Sequence, residues 1–405
     1  MWSIKDSFDP LRLTLCIDMG KSLNKVVYSV LPNGPQKLIL MEPEVASLSK
    51  KLLSDMTIVN CNPEDDAWIK LNDGTGLAFG LLAQKPNYRL KSTSKKKEQK
   101  FEMAASRCGA IICAIAEKEG LGRNCYCGPQ FLYKRVRVAL EVLLPLSEYY
   151  SHKEELMSSL LGEENAFTLN FRSENYEIQF SCLDVKPEGA GQLMIRQADS
   201  NAQPFKSRNI LCLIFGHYNI TGILYRRGQI QRKDCPSLGF FQIVESVADN
   251  TGLDKTNIPE ARLAEAVYFG RDKPEYIRAF LLVRLSNSKN LSNQAERIFQ
   301  AIEQSTLDYW LLVERWLKDF LAEDLVIVDE VLVTGGASKK LEKQLKEFFA
   351  HALVVRGGSG GVVKAIRHSF NLKANDPLID RLVECFGVHA ALLQKILNKE
   401  LLEKN

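Results

Sequence analysis

Apolar positions in this chain fall into short runs whose spacing switches between a period of two and a helical period, which predicts a mixed α/β protein. Leu11–Ile17 is apolar and rich in β-formers, Asp18-Met19-Gly20-Lys21-Ser22 has turn character, and Lys25–Val30 is extended again. The pattern is strand, tight turn, strand. Lys37–Met41, stopped by Pro43, and Leu77–Leu82 predict two further extended segments and an antiparallel start to a mixed sheet. Phe101–Glu119 carries Ala, Ile and Met at helical spacing and ends at Gly120 and Gly122, so a helix with a buried face is expected. Alternation through Lys134–Val138 and the stop at Pro145 mark 131–144 as a long strand, with Ser147 capping a helix that runs to Leu161. Ala166–Phe171 and Tyr176–Val185 predict a hairpin leading into the turn Lys186-Pro187-Glu188-Gly189-Ala190-Gly191.

Near the middle of the chain the opening pattern returns. Ile210–Phe215 is extended, Gly216-His217-Tyr218-Asn219 is a turn, and Ile220–Tyr225 is extended, a recurrence that points to a duplicated architecture. Leu238–Gly252, Pro259–Gly270, Lys273–Ser286 and Asn293–Ala322 read as helices. Glu330–Thr334 is a strand, Gly335-Gly336-Ala337-Ser338 a turn into a helix Lys339–His351, and a last helix starts at Pro377.

Composition narrows the possibilities. The 405 residues are 45% hydrophobic and 25% charged with a net charge of +4, too small an excess for a protein that coats nucleic acid. The longest apolar stretches, Val138–Pro145 and Leu211–Phe215, fall far short of the roughly 20 residues that span a bilayer. The N-terminus places Asp6, Asp9 and Pro10 ahead of any apolar run, so no signal peptide is expected and the reading is a soluble cytoplasmic protein. Cysteines scattered through apolar runs read as reduced core residues, and Cys108, Cys113, Cys125 and Cys127 lack the spacing of common zinc sites. Seven basic residues against Glu98 make Lys85–Lys100 strongly cationic, so the slight basicity of the chain resides in this segment. It reads first as a solvated charge run, since Tyr88 is its sole aromatic; the alternatives are contact with DNA phosphates, an anionic membrane or an acidic patch on a neighbouring subunit. Arg356-Gly357-Gly358-Ser359-Gly360-Gly361 reads as a flexible loop, or as an anion cradle.

Two turns have residue types suited to a nucleotide. In D-M-G-K-S-L-N-K, Gly20 admits phosphate oxygens close to the backbone, Lys21 and Ser22 offer donors, and Asp18 can hold the water shell of Mg²⁺. In V-L-V-T-G-G-A-S, a strand meets a glycine pair and a helix start, where free N–H groups can meet an anion or a purine edge. Taken singly, each is also an ordinary hairpin or βα connection.

The order of these parts carries more. A D-x-G-x-S hairpin, a Pro-Glu-Gly turn, a second glycine hairpin and V-T-G-G-A-S follow one another as in the actin, Hsp70 and sugar-kinase ATPases. Within that set the chain resembles the ParM/StbA group of bacterial actin-like proteins. Lys25 seven residues after Asp18, the K-P-E-G-A-G turn and the P-S-L-G-F segment at Pro236–Phe240 support the resemblance, which spans about Leu11 to Leu393. It implies an α/β, actin-like two-domain fold of duplicated ribonuclease H-like domains around a nucleotide cleft, with 1–189 plus 377–405 as the first domain and 190–376 as the second. Asp18, Gly20, Lys21, Ser22 and Lys25 would form the first phosphate loop, with Asp18 toward the metal, and Gly216, His217, Asn219 and Thr221 the second. Glu188 would orient the attacking water, Gly335, Gly336 and Ala337 would face the adenosine, and Gly239 would lie near the purine or ribose. The implied ligands are ATP or GTP with Mg²⁺. One departure is clear: the family usually has an aspartate two residues before the second loop's glycine, and here that residue is Ile214. His217, Asn219 or Thr221 would have to substitute, or hydrolysis would be slow.

The implied function is a filament-forming protein whose polymerisation is coupled to slow ATP or GTP hydrolysis, a head-to-tail contact that does not close giving a polymer. It would act in plasmid or DNA segregation through a small ParR-like DNA-binding adaptor, touching DNA only indirectly, or be repurposed for cell shape. The rivals are a non-polymerising kinase or Hsp70-like ATPase of the same fold, and a nucleotide-binding scaffold with little turnover. With the last predicted helix close to the end of the given sequence, an Hsp70 peptide-binding domain is not expected.

Overall fold

The computed structural model describes residues 12–32, 34–56, 62–85, 100–126, 132–162, 166–199, 203–252, 260–270, 277, 291–374 and 376–404. The chain divides into two compact units, the first made of Met1–Met194, Ala365–Lys373 and Glu384–Asn405, the second of Ile195–Lys364 and Ala374–Val383.

The first unit is built on strands β1 (Leu13–Met19), β2 (Asn24–Val30), β3 (Lys37–Met41), β4 (Val45–Leu48), β5 (Trp68–Lys70), β6 (Gly76–Phe79), β7 (Arg123–Tyr126), β8 (Leu132–Leu144), β9 (Ala166–Phe171) and β10 (Glu174–Pro187). They lie in the order β3-β2-β1-β8-β10-β9-β5-β6-β4, with β7 beside β8. β1 pairs antiparallel with β2 and parallel with β8, and β8 pairs parallel with β10. A strand flanked in this way is covered on both faces, and every residue of β1 is buried. The helix Ala104–Lys118 supplies much of the cover: Cys108, Ile111, Ile112 and Ile115 join Leu15, Ile17, Leu140 and Val142 in one core.

The second unit repeats the scheme. Its strands β11 (Asn209–Phe215), β12 (Ile220–Arg226), β13 (Gln229–Asp234), β14 (Glu330–Thr334) and β15 (Leu353–Arg356) lie in the order β13-β12-β11-β14-β15. β13, β12 and β11 form an antiparallel meander and β14 and β15 run parallel to β11. This is the order and sense of β3-β2-β1-β8-β10, so the duplication expected from the two hairpins is present at the level of topology. The 31-residue helix Leu291–Leu321 covers this sheet with Val313, Trp316, Leu317 and Phe320.

Several local expectations are corrected. Ser147 does not cap its helix: the helix starts at Leu146 directly after Pro145, without a side-chain cap. The expected helix Lys339–His351 is a 3₁₀ turn, Ser338–Leu341, followed by the seven-residue helix Glu342–Phe348. The cause is that both the N–H and the hydroxyl of Ser338 bond to Gly335 O, at 3.1 and 2.7 Å, which tightens the first turn. Leu77–Leu82 is split by Gly80 at φ +63°, ending β6 before a single helical turn, Leu81–Gln84. The expected helix Lys273–Ser286 falls outside the described residues except for Ile277. No helix among the described residues is long and apolar enough to cross a membrane.

Candidate functional site

Asp18 and Lys25 face each other in the register of the β1–β2 hairpin and form an ion pair. The turn between them depends on Gly20, whose N–H reaches Asp18 O at 3.0 Å and where a Cβ would lie 2.4 Å from Leu23 O. Lys21 and Ser22, on the same turn, are half-buried. β8 and β10 run parallel to β1, so Asp18 and Glu188, which directly follows Pro187 of β10, stand at the carboxyl ends of parallel strands. In open α/β sheets that edge is where ligands bind. The Glu188 N–H donates to Leu144 O at 2.8 Å, which fixes the turn before the helix Ala190–Ala198.

Lys100 joins these groups. Its Nζ lies 2.5 Å from Glu188 Oε1 and 3.4 Å from Asp18 Oδ1. The side chains of Asp18, Lys25, Lys100 and Glu188 are between 7% and 13% exposed, so the structure holds two carboxylates and two ammonium groups in a nearly closed cluster. Burial alone would raise the pKa of Asp18, but Lys25 and Lys100 outweigh it and hold the group below the usual carboxylate range. Burial would likewise lower Lys100, and Glu188 and Asp18 reverse this, keeping it charged. The sequence reading placed Lys100 at the end of a solvated run; the structure buries it. Residues 86–99 of that run lie outside the described residues.

A third carboxylate, which sequence reasoning missed, holds the Glu188 turn. Glu384 Oε2 accepts the N–H groups of Gly189 at 2.9 Å and Gly191 at 3.0 Å. Burial pushes its pKa up to about 7 against the pull of those two bonds, and the charges of Asp18 and Glu188 add to the rise.

In the second unit the counterpart of Asp18 and Lys25 is uncharged. Ile214 faces Thr221 in the β11–β12 register, at the same seven-residue separation. Thr221 is 1% exposed and its hydroxyl pairs with Cys235 Sγ at 3.4 Å, while Asn219 Nδ2 donates to the same sulfur at 3.0 Å. Gly216, His217, Asn219 and Gly239 are brought together: Gly239 N–H donates to Tyr218 O at 3.1 Å, Phe240 N–H to Gly216 O at 3.1 Å, and Phe241 N–H to His217 O at 2.8 Å. A Cβ on Gly239 would stand 2.2 Å from the Tyr218 carbonyl carbon, so this contact requires glycine. Gly335, at φ +95°, packs against the end of β11, where a Cβ would lie 2.2 Å from Phe215 O. Its N–H bonds to Asp380 O at 3.3 Å, and the buried Asp380 carboxylate is held by Arg356. A Cβ on Gly336 would meet only the Arg381 side chain at 3.6 Å, whereas Ala337 is fully buried in the second core.

Among the described residues no three His, Cys, Asp or Glu side chains converge as a metal cage, and two lysines share Asp18. A hydrated Mg²⁺ carried on phosphate oxygens would need no such cage, and Asp18 is the carboxylate that would accept from its waters.

No protein-family model and no curated protein matches the chain. Solved structures do. The actin-like protein Alp7A aligns with a TM-score of 0.62 at 13% identity, covering 97% of this chain and 99% of its own. Bacillus thuringiensis ParM with ATP aligns at 0.61 and 12% identity, over 95% and 99% of the two chains. The Alp12 filament structure aligns at 0.55 and 16% identity, again over 95% and 99%. The topology of both sheets and the extent of these matches lead to one conclusion: the chain has the two-domain actin-like fold of the ParM and Alp proteins.

Proposed function

We propose that this protein binds a nucleoside triphosphate and polymerises, as a ParM-type actin-like filament protein acting in plasmid or DNA segregation. The observation that carries the reading is the ion cluster of Asp18, Lys25, Lys100 and Glu188, whose carboxylates stand at the carboxyl ends of parallel strands in a chain that matches ParM and Alp proteins over nearly its full length. One of those proteins is seen with ATP and another as a filament.

In this reading Lys25, Lys21, Ser22 and the backbone of the Gly20 turn bind phosphate oxygens. Gly216, His217 and Asn219 form the second unit's phosphate turn, and Gly335 and Gly336 meet the base, either adenine or guanine. Asp18 accepts from the water shell of Mg²⁺, whose contribution when bound is to neutralise phosphate charge. Glu188 accepts a hydrogen bond from the attacking water and orients it. The polymer works in the cytoplasm, reaches DNA through a small ParR-like adaptor, and leaves 85–99 as a cationic contact for the adaptor, an acidic neighbour or an anionic membrane. The same polymer would serve cell shape if no adaptor binds it, which co-sedimentation with a DNA-binding partner decides.

A second reading, a nucleotide-binding scaffold with little turnover, is favoured by one observation: the second hairpin offers Ile214 and a buried Thr221 where the first offers Asp18 and Lys25. Electron microscopy of the protein with ATP, GTP or no nucleotide, alongside phosphate release, tests both. Filaments dependent on triphosphate support the first reading, and filaments without phosphate release support the second. Monomers under every condition, with no nucleotide bound, would overturn both.

A further inference from the structure

The resemblance accounts for Asp18, Lys25 and Glu188 but not for the ammonium group lodged among them. Lys100 Nζ is 2.5 Å from Glu188 Oε1 and 3.4 Å from Asp18 Oδ1, and its side chain is 9% exposed. This is a built position. Lys100 opens the 3₁₀ turn Lys100–Met103 ahead of the helix Ala104–Lys118. The next residue is pinned twice: Phe101 N–H donates to Glu148 Oε2 at 3.0 Å, and its ring stacks on His152 with centroids 3.5 Å apart and planes 7° from parallel. The backbone beneath Lys100 is thus tied to the helix Leu146–Leu161 while the ammonium group faces the two carboxylates.

A buried lysine is tolerated only where opposite charge compensates its lost hydration, and the pair Asp18 and Glu188 supplies that charge. A triphosphate brings a denser negative charge to the same place. Lysine is a compact point charge on a flexible stem with three donors, able to turn from carboxylate to phosphate without moving its backbone. The transfer has a consequence for Glu188, because an ammonium group 2.5 Å from Oε1 takes up an acceptor position that a water could otherwise use.

Resting on the nucleotide-binding reading above, we propose that Lys100 is a phosphate-binding residue acting as a tethered counterion: its ammonium group passes from Glu188 and Asp18 to the phosphate chain, lessening the dependence of nucleotide binding on free Mg²⁺ and releasing Glu188.

The test is equilibrium binding of N-methylanthraniloyl ATP and GTP, titrated in parallel in Mg²⁺ and in excess EDTA, to the full chain and to Lys100→Gln. Removing Mg²⁺ should weaken binding to the variant at least about tenfold more than to the wild type, the loss expected for one charge-assisted contact. Lys100→Gln leaves Glu188 with one fewer partner, so Lys100→Gln/Glu188→Gln, which removes both charges, serves as the second variant and should show the same excess metal dependence. Equal losses on metal removal in wild type and both variants would overturn the role of Lys100 and leave nucleotide binding standing. A wild type that binds neither probe in either buffer would overturn both.

Discussion

At the scale of the residue, the cluster shows how few side chains carry the site. Asp18 answers to two lysines, and Glu188 is held by one of them. Glu188→Gln keeps the shape and removes the charge; under the proposed role of Glu188 in orienting water, phosphate release should fall about 100-fold or more while nucleotide affinity is retained. Unchanged turnover would take Glu188 out of the chemistry. Glu384 and His389 make a separate prediction about pH. The folded pKa of Glu384, about 7, is raised from an ordinary value of 4.5, so its contribution to stability is complete below about pH 4.5 and is lost as pH rises toward 7. His389 is lowered by burial from 6.5 to about 4, only partly opposed by its bond to Thr14 O, so its contribution is complete above pH 6.5 and is lost as pH falls toward 4. The two slopes oppose each other over the same window. Glu384→Gln removes one of them and should raise stability near pH 8 by on the order of 3 kcal/mol relative to wild type, with little change at pH 4. Melting curves at the two pH values check this, and parallel shifts at both would contradict it. Asp18, Lys25 and Glu188 were singled out together by the resemblance, and the structure sets Asp18 and Lys25 opposite each other on β1 and β2 and Glu188 in the turn after β10. Lys100 was not singled out, because its burial comes from Phe101 stacking on His152 and bonding to Glu148, contacts between segments that periodicity does not report.

At the scale of the element, the hairpins and the long helices could be read because each has an apolar pattern of its own. β13 could not: Gln229–Asp234 is polar and mostly exposed, an edge strand defined by its pairing to β12. The turn after β14 was read as a glycine pair leading into a helix, and the structure instead bonds Ser338 back to Gly335. Two substitutions test the turns of the second unit. Gly239→Ala would drive a methyl into the backbone of His217 and Tyr218 and should destabilise by about 2 kcal/mol or more in urea unfolding, with loss of nucleotide affinity. Arg356→Ala leaves Asp380, 1% exposed, without its guanidinium partner and should cost about 3 kcal/mol. A near-neutral effect of either change would mean that the turn does not rely on that contact.

At the scale of the molecule, one five-strand scheme is used twice with different chemistry at its hairpins. The first carries a paired carboxylate and lysine, and the second carries isoleucine and a buried threonine in the same register. A duplicated fold therefore need not duplicate charge at its hairpins. The claim that matters most is that triphosphate drives polymerisation, and sedimentation of the full chain over a range of protein concentrations tests it most directly. The account predicts a sharp critical concentration, with filaments in the pellet, in ATP or GTP and none without nucleotide. A chain that stays in the supernatant at every concentration with either triphosphate would contradict it.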